Sequence, residues 1–226
     1  MPEVFLASSA LKKSGYDGLD TIEEAERYNF DGVQLYIDER YRNSQYLIKV
    51  STRLAKSGLG LVVHLPNIPT QLDLNAADYL ARVFPNSRTL IHYLPATELP
   101  WMENTRVGWE NSKVGIQSTE HIREVFDRSY TDDTFFVFDI GRPLYADDDD
   151  LISQANVINF IRDTMSELNT LNDLIHCADK RTWSGNFRDV MCVLGQGVCG
   201  LLLDDLRDFY GAIVLEHEDL QMAVDS

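Results

Sequence analysis

The chain has 226 residues, 44% hydrophobic and 25% charged, so it is long enough to bury a sizeable core as one globular domain over residues 1–226. Its 20 Lys and Arg residues against 36 Asp and Glu residues give a formal net charge of −16. A field of that sign repels nucleic-acid phosphates and anionic membranes, so the composition disfavours both as partners and favours a small-molecule substrate.

Eight short apolar runs recur along the chain, most of them four to five consecutive Val, Ile, Leu or Phe residues. They occupy residues 3–9, 32–38, 59–66, 88–95, 106–112, 135–141, 173–179 and 212–219. Continuous runs without strict alternation are typical of strands buried on both faces of a parallel sheet.

Stretches with helical spacing lie between most of these runs. They are 46–58, which stops at Gly58; 75–84, which opens on Asn75; 118–128, which opens on Ser118; 151–168; and 201–211, which ends at Gly211. A capping box at Thr21–Glu24 predicts a further helix after the first strand. Residues 95–105 contain two prolines and little room, so the helix after the fourth strand is predicted to be short or missing. The acidic run 146–150 is predicted to be a solvated loop.

The repeated alternation of strand and helix predicts the fold class. No linker or shift in composition divides the chain, and eight strands in one domain predict a compact (β/α)8 TIM barrel. A doubly wound open sheet is the alternative. No glycine-rich phosphate loop follows the first strand, which disfavours a nucleotide-binding fold of that kind.

The cysteines and the N-terminus indicate the cellular compartment. Cys177, Cys192 and Cys199 are odd in number and lack C-x-x-C spacing, which is typical of reduced thiols. The N-terminus lacks the basic start and long apolar run of a signal peptide, and no stretch approaches the ~18 apolar residues of a membrane span. These features predict a cytoplasmic protein.

Six consecutive predicted strands end in an ionisable residue. In chain order these are His64, His92, Glu110, Asp139, His176 and Glu216. The carboxyl ends of barrel strands meet at one rim, where active sites lie, and several carboxylates converging there would repel one another. A divalent cation relieves that repulsion, and mixed imidazole and carboxylate ligands suit zinc, manganese or iron. Arg142 and Arg181 as organic counter-ions are the alternative without a metal.

The order of several short motifs resembles the xylose isomerase-like TIM-barrel superfamily. They are WEN at 109–111, FDIGR at 138–142, IHCAD at 175–179, LGQG at 194–197 and VLEHED at 214–219. That superfamily includes sugar and sugar phosphate isomerases and epimerases, hydroxypyruvate isomerase, and the endonuclease IV-like AP endonuclease family 2.

The epimerase branch of this resemblance implies one divalent metal, whether Mn, Zn, Mg or Fe, and its four ligands map to Glu110, Asp139, His176 and Glu216. It also implies that Glu110 and Glu216 are catalytic and move a proton through an enediolate. The expected substrate is a small polyhydroxylated sugar, a sugar phosphate or a hydroxy-keto acid. We therefore expect a metal-dependent isomerase or epimerase.

The endonuclease branch implies a different function, a metal-dependent hydrolase or phosphodiesterase. There the counterparts of His64 and His92 hold a second ion beside the counterpart of Glu110. The chain departs from that branch at Arg142, where the branch has a histidine, which disfavours a third metal and suggests an arginine for an anionic substrate group. In the isomerase hypothesis His64 and His92 bind substrate instead.

Further residues near the predicted rim are candidates for the pocket. Asp179 and Arg181 follow the strand-seven histidine, where related enzymes place substrate-binding groups. Trp109 and Trp183 either form walls of the site or pack in the core or a lid, and Gly195 and Gly197 are predicted to shape a turn near the rim.

Overall fold

The protein is described here by a computed structural model that covers residues 1–94, 98–111, 119–132, 134–143, 151–181 and 191–226. Its strands are β1 (Glu3–Ala7), β2 (Gly32–Tyr36), β3 (Gly60–His64), β4 (Arg88–His92), β5 (Val107–Glu110), β6 (Phe136–Asp139), β7 (Leu174–Cys177), β8 (Asp179–Lys180), β9 (Met191–Cys192) and β10 (Ala212–Leu215). Each of the eight longer strands lies within one of the eight apolar runs, because such runs are stable only where both faces of a strand are covered.

The eight longer strands form a closed parallel barrel. Their order around the barrel is β1, β10, β7, β6, β5, β4, β3, β2, and β1 pairs with both β10 and β2. Pairing of the first and last strands excludes the doubly wound open sheet and confirms the predicted TIM barrel. The short strands β8 and β9 form a separate antiparallel ribbon in the segment between β7 and β10.

Helices alternate with the barrel strands. In the described residues they are α1 (Gly18–Arg27), α2 (Ser44–Ser57), α3 (Gln71–Val83), α4 (Thr119–Thr131), α5 (Leu151–Glu167), α6 (Leu203–Asp208) and α7 (Leu220–Asp225), with 3-10 turns at Ser8–Ser14, Glu39–Arg42 and Val198–Leu202. The stretches 93–94 and 98–106 between β4 and β5 contain no helix, as predicted. No helix in the described part of the chain is both long and apolar enough to cross a lipid bilayer.

Two predicted helix starts are wrong, and in both cases a cap lies further upstream. Helix α1 begins before Thr21, because the Asp17 carboxylate accepts hydrogen bonds from the backbone N–H groups of the first turn. Helix α3 begins before Asn75, because Thr70 and Asp73 form a reciprocal capping box. By contrast, α2 ends at Gly58 as predicted, with a left-handed φ of 74°. Ser118 and the acidic run 146–150 lie outside the described residues.

The last predicted helix, 201–211, is shorter than expected. The described chain forms a 3-10 turn over Val198–Leu202, and α6 then ends at Asp208 instead of reaching Gly211. Its C-terminal neighbour Phe209 is extended, with its ring against Gly211. A side chain there would contact the ring and the Thr170 carbonyl, so the glycine serves packing and does not cap the helix.

The barrel interior is filled by a small cluster of buried side chains. Its members are Phe5, Ala7, Val62, Leu90, Phe135, Val137, Leu174, Ala212 and Val214. Toward the amino-terminal ends of the strands, the Phe5 ring covers Gly32 and Gly60, and the Phe135 ring covers Gly108. A methyl group on Gly108 would lie 2.3–2.5 Å from Phe135 ring atoms, so the ring occupies the space that a side chain would need.

We expect Gly108→Ala to destabilise the barrel by about 1–3 kcal/mol, because the added methyl forces the Phe135 ring out of its position. The measurement is the urea midpoint of unfolding at constant m-value. Phe135→Leu is the matched background, since a smaller side chain makes room for the methyl. Equal destabilisation by Gly108→Ala in both backgrounds would show that the ring contact is not the cause.

The three cysteines are reduced and buried. Cys177 ends β7, Cys192 ends β9, and Cys199 lies in the turn before α6. The thiol of Cys199 lies against Cys177 and inside the core, and both the contact and the burial raise its pKa well above the usual value.

Candidate metal site at the barrel rim

Glu110 lies at the centre of the rim. Its carboxylate is fully buried, and three histidines, from β3, β4 and β7, surround it. His64 Nε2 lies 3.1 Å from Oε2, His92 Nε2 lies 3.3 Å from Oε1, and His176 Nδ1 lies 3.5 Å from Oε1. The cause is strand alternation, because the last residues of β3 and β4 face the same side as Val62 and Leu90 of the interior cluster, two residues earlier.

A second carboxylate, Glu216, closes the other side of the site. Its Oε1 lies 3.2 Å from His176 Nδ1 and accepts a 2.7 Å hydrogen bond from Gln34 Nε2. Gln34 is a site residue that sequence reasoning missed. The available signal was a lone amide in the middle of the apolar strand GVQLY, where an unpartnered polar side chain would be costly.

The orientation of two histidines is fixed from behind. His64 Nδ1 donates to the Leu65 carbonyl at 2.8 Å, and His92 Nδ1 donates to Asn67 Oδ1 at 2.5 Å. When the rings are neutral, Nδ1 carries the proton and the Nε2 lone pair faces Glu110. Two electron-rich atoms at 3.1–3.3 Å repel unless a proton or a metal ion lies between them.

The buried charges shift one another's protonation. Burial alone would raise the pKa of Glu110, but His92 and His176 hold it well below its usual range. Burial likewise opposes ionisation of Glu216, yet His176 lowers its pKa to about 2. Burial disfavours the cationic form of His176, and Glu216 and Glu110 nevertheless raise its pKa well above its usual range. The site therefore holds its carboxylates as anions and demands positive charge beside them.

Asp139 stands apart from the other predicted ligands. Its Oδ1 accepts from the Gly141 N–H at 2.9 Å, and its Oδ2 lies 2.6 Å from Arg142 Nε. Burial raises its pKa to about 6, with Arg142 opposing the shift. Glu110, His176 and Glu216 share one point, but Asp139 is in neither ligand group found in the described residues. Arg142 forms an ion pair with the carboxylate that the resemblance predicts to be a metal ligand.

The two predicted arginines lie in different surroundings. Arg142 is 7% exposed, and its Nη2 is 3.9 Å from Glu110 Oε1, so it faces into the site. It faces the protein's own carboxylates, Asp139 above all, which supports the counter-ion alternative at this one position. Arg181 is exposed and makes no ion pair with a described carboxylate.

Asp179 organises the turn that follows β9, and its predicted contact with substrate stays a prediction. Its carboxylate is fully buried and accepts backbone hydrogen bonds from Gly195, Gly197 and Cys199 at 2.8, 3.0 and 2.9 Å. Both oxygens accept backbone hydrogen bonds, so Asp179 organises the LGQG turn. Gly195 has a φ of +89°, which explains why glycine stands at this turn.

Of the two alternatives for Trp109, a wall of the site or core packing, the structure shows core packing. Trp109 points away from the rim, is fully buried, and packs edge-on against Tyr93 while its indole N–H bonds to Asp132. The alternation that turns Glu110 inward turns Trp109 outward. Trp183 lies outside the described residues.

The donor set fits divalent ions. Two groups of ligand atoms have mutual distances within 4.8 Å: one is His64, His92 and Glu110, the other Glu110, His176 and Glu216. Among the described residues, neither ring nitrogen of the buried His176 has a hydrogen-bond partner, and neither does Glu110 Oε1. Buried polar atoms are normally satisfied, so these orphaned atoms are suited to a ligand that the protein alone does not supply.

Comparison with known proteins found no matching family model and no matching curated protein. Solved structures do match over nearly the whole chain. The chain in the crystal structure of AsfvAP:AG has a TM-score of 0.58 at 13% identity, with 100% of this chain and 95% of that chain covered. A xylose isomerase domain protein from Planctomyces limnophilus has a TM-score of 0.52 at 14% identity, covering 95% and 90%.

A D-allulose 3-epimerase from Methylomonas sp., in complex with D-allulose, has a TM-score of 0.53 at 10% identity, covering 95% of this chain and 83% of that chain. The chain shares its TIM-barrel fold with these xylose isomerase-like and epimerase structures. The predicted resemblance is thereby confirmed for the fold. These neighbours include enzymes, but identities this low carry no reaction or substrate over to this chain.

Proposed function

We propose that this barrel is a divalent-metal-dependent enzyme in which Glu110 would be a ligand common to two metal sites. The observation that supports this best is the sharing of Glu110 between two ligand groups, with His64 and His92 supplying the second group. Two ions side by side suit hydrolysis of a phosphodiester better than proton transfer on a sugar. The geometry therefore favours the hydrolase that the sequence placed second.

The residues of the site have different roles in the proposed reaction. Bound ions would supply Lewis acidity toward an ester oxygen and lower the pKa of water. Glu110 is buried and serves as a fixed anion, while Leu65 and Asn67 hold His64 and His92 in place. The Glu216 side chain is 23% exposed, so it is the carboxylate that can reach a substrate proton, with Gln34 fixing its orientation.

A mononuclear isomerase or epimerase is the second candidate. It is favoured by the group of Glu110, His176 and Glu216, which alone could hold one ion, and by the net charge of −16. The full burial of Glu110 weighs against it. Two carboxylates must reach opposite faces of the substrate carbon in that reaction, and Glu110 lies behind three histidines.

Metal content distinguishes the two functions. We expect two equivalents of Zn²⁺ or Mn²⁺ per chain by elemental analysis after dialysis, and one equivalent in His64→Ala and in His92→Ala. Hydrolysis of bis(p-nitrophenyl) phosphate should fall in parallel with the lost ion. His121→Ala is the matched control, because His121 lies on α4 against Tyr93 and Glu124. One equivalent in every variant, with a ketose substrate epimerised, would establish the second candidate instead.

A further inference from the structure

Tyr36 is an aromatic side chain at the edge of the candidate metal site. It is the last residue of β2 and lies in register with His64, the last residue of β3. Because side chains alternate along a strand, Tyr36 faces the same side as Gln34, which donates to Glu216 inside the site. The Tyr36 and His64 rings have centroids 5.4 Å apart and planes tilted by 49°. Tyr36 therefore lies beside one of the candidate metal ligands and faces the rim.

The side chain of Tyr36 is partly accessible, and its backbone is held in place. Tyr36 is 38% exposed, whereas Gln34 on the same face is 4% exposed. The Tyr36 backbone N–H donates to the buried Ser8 hydroxyl at 3.1 Å, and the next N–H, of Ile37, donates to the His64 carbonyl at 2.9 Å. An aromatic ring that is attached to a rigid strand and is partly open to solvent beside a buried polar site is suited to pack on a ligand.

Tyr36 and two candidate ligands form a row of rings. The centroid distances are 5.4 Å from Tyr36 to His64 and 4.8 Å from His64 to His92, so the three rings lie in sequence across β2, β3 and β4. The row runs from the partly exposed tyrosine to the two histidines beside Glu110. A substrate whose phosphate group binds at these histidines would have an ester substituent next to the Tyr36 ring. Stacking between two planar rings is favourable, so this position favours a planar substituent.

The charge of the chain limits the size of that substrate. Burial, together with Asp38 and Asp73, raises the pKa of the Tyr36 phenol, so the side chain stays neutral and does not repel an anion. The whole chain carries a net charge of −16, which opposes a long polyanion such as a nucleic-acid strand. One phosphodiester group on a small molecule carries a single negative charge, so it meets far less of that repulsion.

We propose that Tyr36 determines substrate specificity by stacking on a planar ring of the substrate. The substrate class is a small phosphodiester in which one ester substituent carries such a ring, for example a phenyl group or a nucleobase. This inference rests on the proposed hydrolysis of a phosphodiester and adds to it the group beside the phosphate. Tyr36 contributes the face of its ring, so its role does not depend on the phenol hydroxyl.

Hydrolysis of two esters with the same leaving group tests this role. Phenyl p-nitrophenyl phosphate carries a second ring and methyl p-nitrophenyl phosphate does not, while both release p-nitrophenolate. We expect Tyr36→Ala to lower the ratio of kcat/KM for the phenyl ester to that for the methyl ester by about tenfold or more, because stacking on an aromatic side chain contributes on that order. Comparing this ratio between variants cancels the different intrinsic reactivity of the two esters.

Three further variants isolate the planar ring. Tyr36→Phe keeps the ring and should keep the ratio. Tyr36→Leu keeps an apolar side chain without a planar face, so it should lose the ratio as Tyr36→Ala does, which guards against misfolding of the alanine variant. Tyr210→Ala is the matched control, since Tyr210 is 79% exposed and lies just before β10, at the opposite end of the barrel. An unchanged ratio in both Tyr36→Ala and Tyr36→Leu, an equal fall in Tyr210→Ala, or cleavage of an oligonucleotide in preference to both esters would overturn the proposal.

Titration calorimetry with phenyl phosphate and methyl phosphate tests the ring without turnover. We expect phenyl phosphate to bind about tenfold more tightly, and Tyr36→Ala to abolish that preference. If neither ester is hydrolysed but the binding preference depends on Tyr36, the hydrolase proposal fails and the stacking role stands. If both esters are hydrolysed and no Tyr36 variant changes either preference, the stacking role fails and the hydrolase proposal stands.

Discussion

Glu110→Gln is expected to reduce turnover by roughly 10³-fold or more and to remove bound metal, while the barrel stays folded. The amide keeps the shape of the side chain but loses the charge that both ligand groups share. Because Glu110 belongs to both groups, this one substitution should lower metal content below that of either His64→Ala or His92→Ala. Elemental analysis and initial rates on the same preparation measure the two effects together.

The matched control for Glu110→Gln is Glu103→Gln, which makes the same chemical change at an exposed position. Its metal content and rate should equal those of the unmodified chain. Glu216→Gln should reduce turnover comparably but remove less metal, since Glu216 belongs to one group only. Full metal content in Glu110→Gln would contradict the bridging role, and near-full activity would remove Glu110 from the site.

Asp179→Ala should cause the largest loss of stability of any substitution at the rim. Three backbone N–H groups would lose a buried anionic acceptor, at a cost of about 3–6 kcal/mol. At roughly 2–4 °C per kcal/mol for a chain of this size, Tm should fall by about 6–24 °C. Differential scanning calorimetry measures this directly.

Asp179→Asn separates the shape of the side chain from its charge. The amide retains one oxygen acceptor for the LGQG turn, so its Tm should lie between those of Asp179→Ala and the unmodified chain. Binding of substrate by the folded Asn variant should be normal. A selective loss of substrate affinity with an unchanged Tm would support the substrate-binding role that the sequence first suggested for Asp179.

The convergence of the rim residues could be predicted because it depends on regular geometry. A parallel barrel brings the carboxyl end of every strand to the same rim. Side chains alternate between the two faces of a strand, so the position of a residue in its strand determines which side it faces. His64, His92, Glu110, His176 and Glu216 all stand within one residue of a strand end, so the fold alone brings them together.

The other roles of the site residues depend on which hydrogen-bond donors each carboxylate meets locally. The regular spacing of residues along a strand does not contain that information. Asp179 and Glu216 both follow a strand end, but one carboxylate finds three backbone donors and the other finds Gln34 and His176. The predicted starts of α1 and α3 are wrong for a similar reason. Thr21 and Asn75 fit the pattern of a cap, yet Asp17 caps the first turn of α1, and the reciprocal hydrogen bonds of Thr70 and Asp73 cap α3 further upstream.

The buried thiols provide the barrel with an internal reporter of its opening. A reagent such as an aromatic disulfide reacts with thiolate, and Cys199 is both shielded and held protonated by Cys177 and the core. Labelling must therefore wait for a transient separation of β7 from the turn before α6. The rate at which each cysteine is labelled in native buffer therefore gives the equilibrium constant for opening of that part of the barrel wall, without denaturant.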